Sequence, residues 1–121
     1  MRQPLYCKKD IIEHMTWVGS FLDEQVKASL DALPEEIQSS FRRIAELIHV
    51  YGLERIREPY VKHLEGPLWE MRLRGGGGIA RACYVTAIGK RVVVVHVFTK
   101  KTQKTPRREI LKALKRAKEV E

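Results

Sequence analysis

The stretch Arg91–Phe98, RVVVVHVF, sets four valines in a row and resumes apolar side chains after His96. Successive residues of a strand point to opposite faces, so an unbroken apolar run of this length predicts a strand buried on both sides. Such a strand is central in its sheet, and the rest of the chain must supply its neighbours and the layers that cover it. The sequence then changes character. His96–Ala117, HVFTKKTQKTPRREILKALKRA, passes from strand to helix through a dense run of Lys and Arg.

The neighbouring strands follow from their alternation. LWEMRLR, Leu68–Arg74, sends Trp69, Met71 and Leu73 one way and Glu70, Arg72 and Arg74 the other. Gly75–Gly78, GGGG, predicts a mobile hairpin tip, and IARACYVT, Ile79–Thr86, predicts the next strand. A turn near Gly89-Lys90 leads into the valine strand, completing a three-strand antiparallel meander. After it, Thr105 suits a helix N-cap and Pro106 a first helical position. Ile110, Ala113, Leu114 and Ala117 make the apolar stripe of a helix over about 106–120.

Before the meander, MTWVGSF, Met15–Phe21, predicts a short strand. Phe21, Leu22, Val26, Leu30 and Leu33 recur near helical period, with Asp23 and Glu24 where a helix N-terminus favours negative charge. Pro34 ends that helix and opens a second one, whose stripe is Ile37, Phe41, Ile44, Ala45, Leu47, Ile48 and Tyr51 and whose C-cap is Gly52. Residues 53–66 read as a loop and residues 1–14 as an irregular arm, leaving 15–121 as one domain. The expected fold is α+β, with a helical hairpin and a C-terminal helix on one face of the sheet.

Charge is distributed unevenly along this plan. Residues 1–71 carry 9 Lys/Arg against 12 Asp/Glu, and residues 72–121 carry 14 against 3, within a net charge of +8. A basic C-terminal half points to a polyanionic partner, most often nucleic acid, against the plainer reading of a solvated basic surface. Cys7 and Cys83 form no CxxC pair, and no Cys/His cluster has zinc spacing. No apolar run nears the roughly 20 residues of a membrane helix, and MRQPLYCKKD lacks the apolar block of a signal peptide. A reduced, cytoplasmic protein without metal or cofactor is the expectation.

The chemistry-bearing residues gather on the meander. Glu70, Arg72 and Arg74 share a strand face and cannot enter an apolar core unpartnered. They line either a solvated sheet face or a phosphate-binding surface, for which Arg offers a permanently charged planar fork. Arg81, between Ile79 and Cys83, must reach an edge, pair with Glu70 or hold a ligand. Lys100, Lys101 and Lys104 lie where the strand meets the helix, whose N-terminal N–H groups also suit an anion. Of the histidines, His96 reads as a satisfied core residue and His63 as freer to act; Tyr84 is a further candidate. The glycine run lacks the GK[ST] of a nucleotide-binding loop and lies between two strands.

Three segments in order, Lys62–Arg72 (KHLEGPLWEMR), Arg81–Tyr84 (RACY) and His96–Pro106 (HVFTKKTQKTP), resemble the RelE/ParE superfamily of bacterial toxins, and most of all its phage-derived HigB-like branch. FLDEQVKASLDALPEE fits the helical hairpin expected before them, so the resemblance spans about 15–120. It implies a RelE-like fold, with an N-terminal strand and helical hairpin, a twisted antiparallel meander and a terminal helix. It also implies a toxin of a type II toxin-antitoxin system, a ribosome-dependent mRNA endonuclease held inactive by a HigA-like helix-turn-helix antitoxin. In that chemistry the RNA 2′-OH attacks the adjacent phosphate and the 5′-oxygen leaves, which calls for a base, charge stabilisation and an acid.

Carried over by position, the resemblance makes Arg72 and Arg81 the stabilisers of charge. It makes Lys101 or Lys100 the group on the phosphate or leaving oxygen, and Glu70 the base. Lys62, Arg74, Lys104 and Arg107 fall to RNA backbone, with His63 and Tyr84 as further RNA or proton-transfer residues. Some members place a histidine or tyrosine in the acid or base role, where this chain has Lys100 and Lys101, and Glu70 stands where some relatives are basic. The other readings are a gyrase-inhibiting toxin of the ParE kind and a non-catalytic RNA-binding protein of phage origin.

Overall fold

The computed structural model describes residues 16–120 except 77, 102 and 103; the expected arm, Cys7 and His14 lie outside the described residues. Strand β1 (Val18–Phe21) is followed by helix α1 (Glu24–Asp31), helix α2 (Glu35–Tyr51) and a 3-10 turn (Leu53–Arg55). Then come β2 (Val61–Glu65), β3 (Leu68–Gly75), β4 (Gly78–Ala87), β5 (Arg91–Lys100) and helix α3 (Arg107–Ala117). The fold is α+β, and its strands form one sheet in the order β1-β5-β4-β3-β2.

The valine strand is interior, as its composition requires. It pairs antiparallel with β4 and parallel with β1, which makes the sheet mixed. The segment read as a loop contains a strand: β2 pairs antiparallel with β3 from Val61↔Met71 to Glu65↔Leu68. It is an edge strand that buries only Val61 deeply, so its sequence carries little of the alternation that marks a half-buried strand.

The expectation that all helices cover one face is also corrected. α1 and α2 pack on the face bearing Met71, Leu73, Ala82, Tyr84, Val92 and Val94. α3 covers the opposite face through Ala113, Ile110 and Leu114, against Leu68, Cys83, Val85, Val93 and Val95. A strand apolar on both faces needs both covers, and a bulge adjusts β5 between them. Its register with β4 passes from Tyr84↔Val94 to Cys83↔His96, leaving Val95 as the extra residue.

Local signals hold with two amendments. Asp23 caps α1 by accepting from Val26 N–H at 2.9 Å, and Gly52, at φ 90°, closes α2. Thr105 is not the cap of α3: Pro106 occupies that position without a side-chain cap bond. Tyr51, placed on the apolar stripe of α2, is 60% exposed. The glycine hairpin fits a close approach to α2, since a Cβ on Gly75 would lie 2.8 Å from Glu36 Cβ and 3.1 Å from Ile37 Cγ1.

His96 is a satisfied residue of the α3 interface. Its Nε2 lies 2.7 Å from Glu109 Oε1, and Arg116 Nη1 lies 3.2 Å from its Nδ1. Arginine only donates, so Nδ1 accepts and Nε2–H donates to the carboxylate, which defines a neutral imidazole. Burial lowers its pKa, the charges of Arg116 and Lys112 add to this, and Glu109 opposes them.

Two outcomes follow for stability. Gly75→Ala should destabilise the fold by about 1–3 kcal/mol through the clash with α2. Gly19→Ala, whose added methyl meets nothing within 4 Å, should be nearly neutral in the same urea titration. The lowered pKa of His96 means that the unfolded chain binds the proton more readily. Stability is therefore held above the unfolded imidazole pKa of about 6.5 and falls as pH drops through it. Urea midpoints at pH 7.5 and 5.5 should differ more for the native chain than for His96→Gln.

Candidate functional site

Antiparallel partners share a sheet face, so the register determines which charges meet. Glu70 opposes Cys83 across β3 and β4, Arg72 opposes Arg81, and Arg74 opposes Ile79. On the other side of β4, Arg81 opposes Phe98 and Ile79 opposes Lys100, while Lys62 of β2 opposes Glu70. Four strands thus place Lys62, Glu70, Arg72, Arg74, Arg81 and Lys100 on the face shared with α3, beyond the apolar cluster its helix makes. The β5 bulge contributes here. Without the bulge, the register set at Tyr84↔Val94 would put Thr99 opposite Ile79 and turn Lys100 to the other face.

At the centre is Arg81, whose relative exposure is 0%. Its Nη1 donates to Ala80 O at 3.0 Å, and its Nε lies 3.4 Å from Glu70 Oε2. Arg72 Nε approaches the same oxygen at 3.8 Å, and Arg72 Nη1 lies 3.8 Å from Glu58 Oε1. The other oxygen of Glu70 accepts from the Thr105 hydroxyl at 2.6 Å, and that hydroxyl accepts from Lys100 Nζ at 3.4 Å. The linker between β5 and α3 is thereby tied to β3 through a buried carboxylate.

Hydrogen-bonding capacity is left over. Arg72, Arg81 and Lys100 surround a single buried carboxylate. Arg72 Nε and Arg81 Nε and Nη2 are buried without a hydrogen-bond partner among the described residues. Burial pulls the Lys100 ammonium down to about 8, helped by the charges of Arg81, Arg72 and Lys62 and opposed by Glu70. Burial also lowers the pKa of Arg81, against the attraction of Glu70; as a guanidinium it stays charged. The cluster offers forked cationic donors and an ammonium able to give up a proton near neutrality, a combination suited to a phosphate whose charge increases during reaction.

The remaining candidates are dispersed. Lys101 and Lys104 are exposed on the segment after β5. Lys62 and Arg74 are exposed at the margin of the cluster. Arg107 is engaged by both carboxylate oxygens of Glu65, which ties the start of α3 to β2. His63 and Tyr84 do not join the cluster, because alternation sends them to the opposite face. The His63 ring sits 5.1 Å from that of Trp69 and its Nε2 lies 2.8 Å from Gly66 O. Tyr84 is 1% exposed within the core, and burial raises its pKa.

Sequence reading missed Thr105 as a member of the cluster, having assigned its hydroxyl to a helix cap, and missed Glu58 on the outer side of Arg72. A hydroxyl residue between a lysine run and a helix was the available signal for the first. A cavity of about 650 Å³, lined by Trp17, Leu53, Ile56, Trp69 and Tyr84 together with Arg57, Lys62 and other residues, is mainly apolar. Among the described residues no His, Cys, Asp and Glu group could hold a metal ion, and no helix is long and apolar enough to cross a membrane.

Comparisons with known proteins agree with this architecture. A search of curated proteins finds no match. Among solved structures, the chain is similar to the archaeal RelE–RelB complex from Pyrococcus horikoshii OT3, with a TM-score of 0.51 and 23% identity. The match covers 70% of this chain and 96% of that one. It establishes the RelE fold, with its mixed sheet and helices. The family model described as phage-derived protein, Gp49-like, matches residues 28–118, a span that holds the whole charged cluster. The chain therefore belongs to the Gp49-like family of phage-derived proteins, a family of the RelE/HigB toxin type.

Proposed function

We propose that this RelE-like toxin is a ribosome-dependent endoribonuclease that cuts mRNA at the A site and so inhibits translation. The observation that carries the reading is the set of buried, unpartnered N–H donors of Arg72 and Arg81 in a cluster with excess positive charge. A phosphodiester is the anion that such a cluster on a basic chain would meet, and fixed donors act most strongly where water is excluded.

In this mechanism the RNA 2′-oxygen forms a bond to the adjacent phosphorus, its proton is taken up by a base, and the bond to the 5′-oxygen breaks. The products are a 2′,3′-cyclic phosphate and a 5′-hydroxyl. Arg72 and Arg81 stabilise the negative charge that develops on the phosphoryl oxygens. Lys100, with its pKa near 8, gives its proton to the leaving 5′-oxygen. Glu70 was expected to be the base. Its burial and its bond from Thr105 fit a different task, holding Arg72, Arg81 and the β5–α3 linker in register. Lys62, Arg74, Lys101 and Lys104 receive the RNA backbone. The antitoxin is a HigA-like helix-turn-helix protein. The similarity to a RelE–RelB complex supports a partner of the antitoxin class.

Primer extension on a defined message, with and without ribosomes, tests the reading. Arg72→Ala and Lys100→Ala should each lower single-turnover cleavage about 10²–10³-fold, with Lys101→Ala much closer to the native chain. Arg81→Ala should be at least as damaging to cleavage. It also strands a buried carboxylate at a cost of about 3–5 kcal/mol, so a melting curve must accompany it. Equal cleavage by all these variants would sink the site. Intact message with DNA damage signalling would favour the gyrase reading, and salt-sensitive RNA binding without cutting would favour a non-catalytic module.

The Lys100 assignment has its own signature. The acid must be protonated, so cleavage should decline as pH rises through about 8. Lys100→Arg, which keeps its proton throughout, should remove that decline between pH 7 and 9. A native profile that stays flat over this interval would exclude Lys100 as the acid.

A further inference from the structure

A second basic cleft lies beside the cluster. The β2–β3 ladder ends at Val61↔Met71, so Arg72–Gly75 form a free strand edge past the end of β2. Here Arg72 N–H donates to Tyr60 O at 2.8 Å and Arg74 N–H to Ser40 Oγ at 3.2 Å. α2 thus lends a hydroxyl to an edge strand that would otherwise offer a bare donor. Between helix and edge is a cleft of about 350 Å³, lined by Arg43, Arg72, Arg74, Ser39, Ser40 and Tyr60, among others.

The chemistry of this lining is that of an anion site. Ser39 and Ser40 stand four and three residues before Arg43, so all three share one side of α2. Three arginines and three hydroxyl-bearing residues line one space. Ser40 Oγ already accepts a backbone N–H, so its own proton is available to an acceptor in the cleft. The side chains of Arg43 and Arg74 have no hydrogen-bond or ion-pair partner among the described residues. Glu36 lines the space, and Glu58 stands outside its lining. Glu36 is engaged by Gly76 N–H, and Glu58 lies 3.8 Å from Arg72. Arg72 belongs to both places, since it also approaches Glu70 in the buried cluster. An occupant of the cleft would therefore sit next to the occupant of the cluster, as consecutive phosphates of one strand do.

We propose that this cleft is a second phosphate subsite, with Arg43 as its principal new ligand, which holds a backbone phosphate flanking the scissile one in single-stranded RNA. The inference rests on the nuclease reading for the identity of its ligand, and its test separates the two.

The probe is a fluorescent single-stranded RNA oligonucleotide with a 2′-deoxy group at the cleavage position, titrated with full-length protein over a range of salt concentrations. Arg43 is exposed on a helix, and alanine is the strongest helix former, so Arg43→Ala should fold. This variant should bind about tenfold more weakly at low salt. Its slope of log affinity against log salt should fall by about 0.7, the value for one lost phosphate contact on a single strand. Arg43→Lys should keep the slope and regain part of the affinity. An unchanged slope in Arg43→Ala, an effect on inorganic phosphate binding without one on RNA, or no RNA binding by the native chain overturns the subsite. Message cutting in the ribosome assay is scored separately. Native-like cutting by Arg43→Ala would remove the subsite and leave the nuclease, whereas a reduced salt slope without any cutting would do the reverse.

Discussion

A guanidinium with no exposure to solvent is the constraint around which this protein is arranged. Desolvating a charge is tolerable only where an opposite charge and hydrogen bonds replace water. Arg81 sits on a strand with neighbours on both sides, so its partner had to come from the sheet itself, and Glu70 on β3 supplies it. A carboxylate buried there has lone pairs of its own to satisfy, and the Thr105 hydroxyl takes one. That bond draws the chain leaving β5 back across the sheet before α3 begins, so the requirement of one arginine reaches as far as the entry to the C-terminal helix. Glu70 shares Arg72 with the exposed Glu58 and lies among three cations, so the cluster stays rich in cationic donors in a partly dry place. Such charge would be a liability without an anion to receive.

The two sheet faces divide the work. The helical hairpin seals one face over aliphatic and aromatic side chains, and this core places no demand on charge. α3 packs on the other through a small stripe centred on Ala113, and the arginine-bearing end lies outside that apolar cluster. The β5 bulge reconciles the two. Before it, the valines serve both covers; after it, His96, Phe98 and Lys100 fall on the charged face. His96 binds Glu109 and receives Arg116, holding α3 at the boundary between the apolar and charged halves of that face.

Much of this was legible in the sequence, and the misses have physical causes. Alternation on LWEMRLR correctly separated Glu70, Arg72 and Arg74 from Trp69, Met71 and Leu73, because a half-buried antiparallel strand writes its faces into its residues. β2 was read as loop since an edge strand buries little and so selects little. RVVVVHVF already required a cover on each face, and the one-sided placement of helices neglected its own strongest evidence. A bulge leaves no composition signature, so the difference between Lys100 buried and Lys101 exposed was beyond alternation alone. Tyr84 was named as a further candidate, but it stands an odd number of positions from Arg81 and therefore faces away. Arg43 lies about thirty residues before the cluster on a helix judged by its apolar stripe, and only the tertiary approach of α2 to the edge of β3 gives it a partner in function.

Under the nuclease reading, the geometry also bears on why RNA cleavage would depend on the ribosome. The chain supplies charge stabilisation at Arg72 and Arg81 and an ammonium of moderated acidity at Lys100. Its central carboxylate is committed to the interior, and His63 and Tyr84 are on the other face. What the cluster lacks is a means of forcing the 2′-oxygen into line with the bond that must break. In-line attack is a matter of RNA conformation, and fixing reacting groups in that geometry can account for about 7–11 kcal/mol of a barrier. A small sheet with phosphate contacts can hold the backbone but not the sugar and base on both sides of it. Under that reading a site of this kind would be slow on free RNA and fast wherever another body presents the strand already bent, so cleavage would be confined to messages under translation.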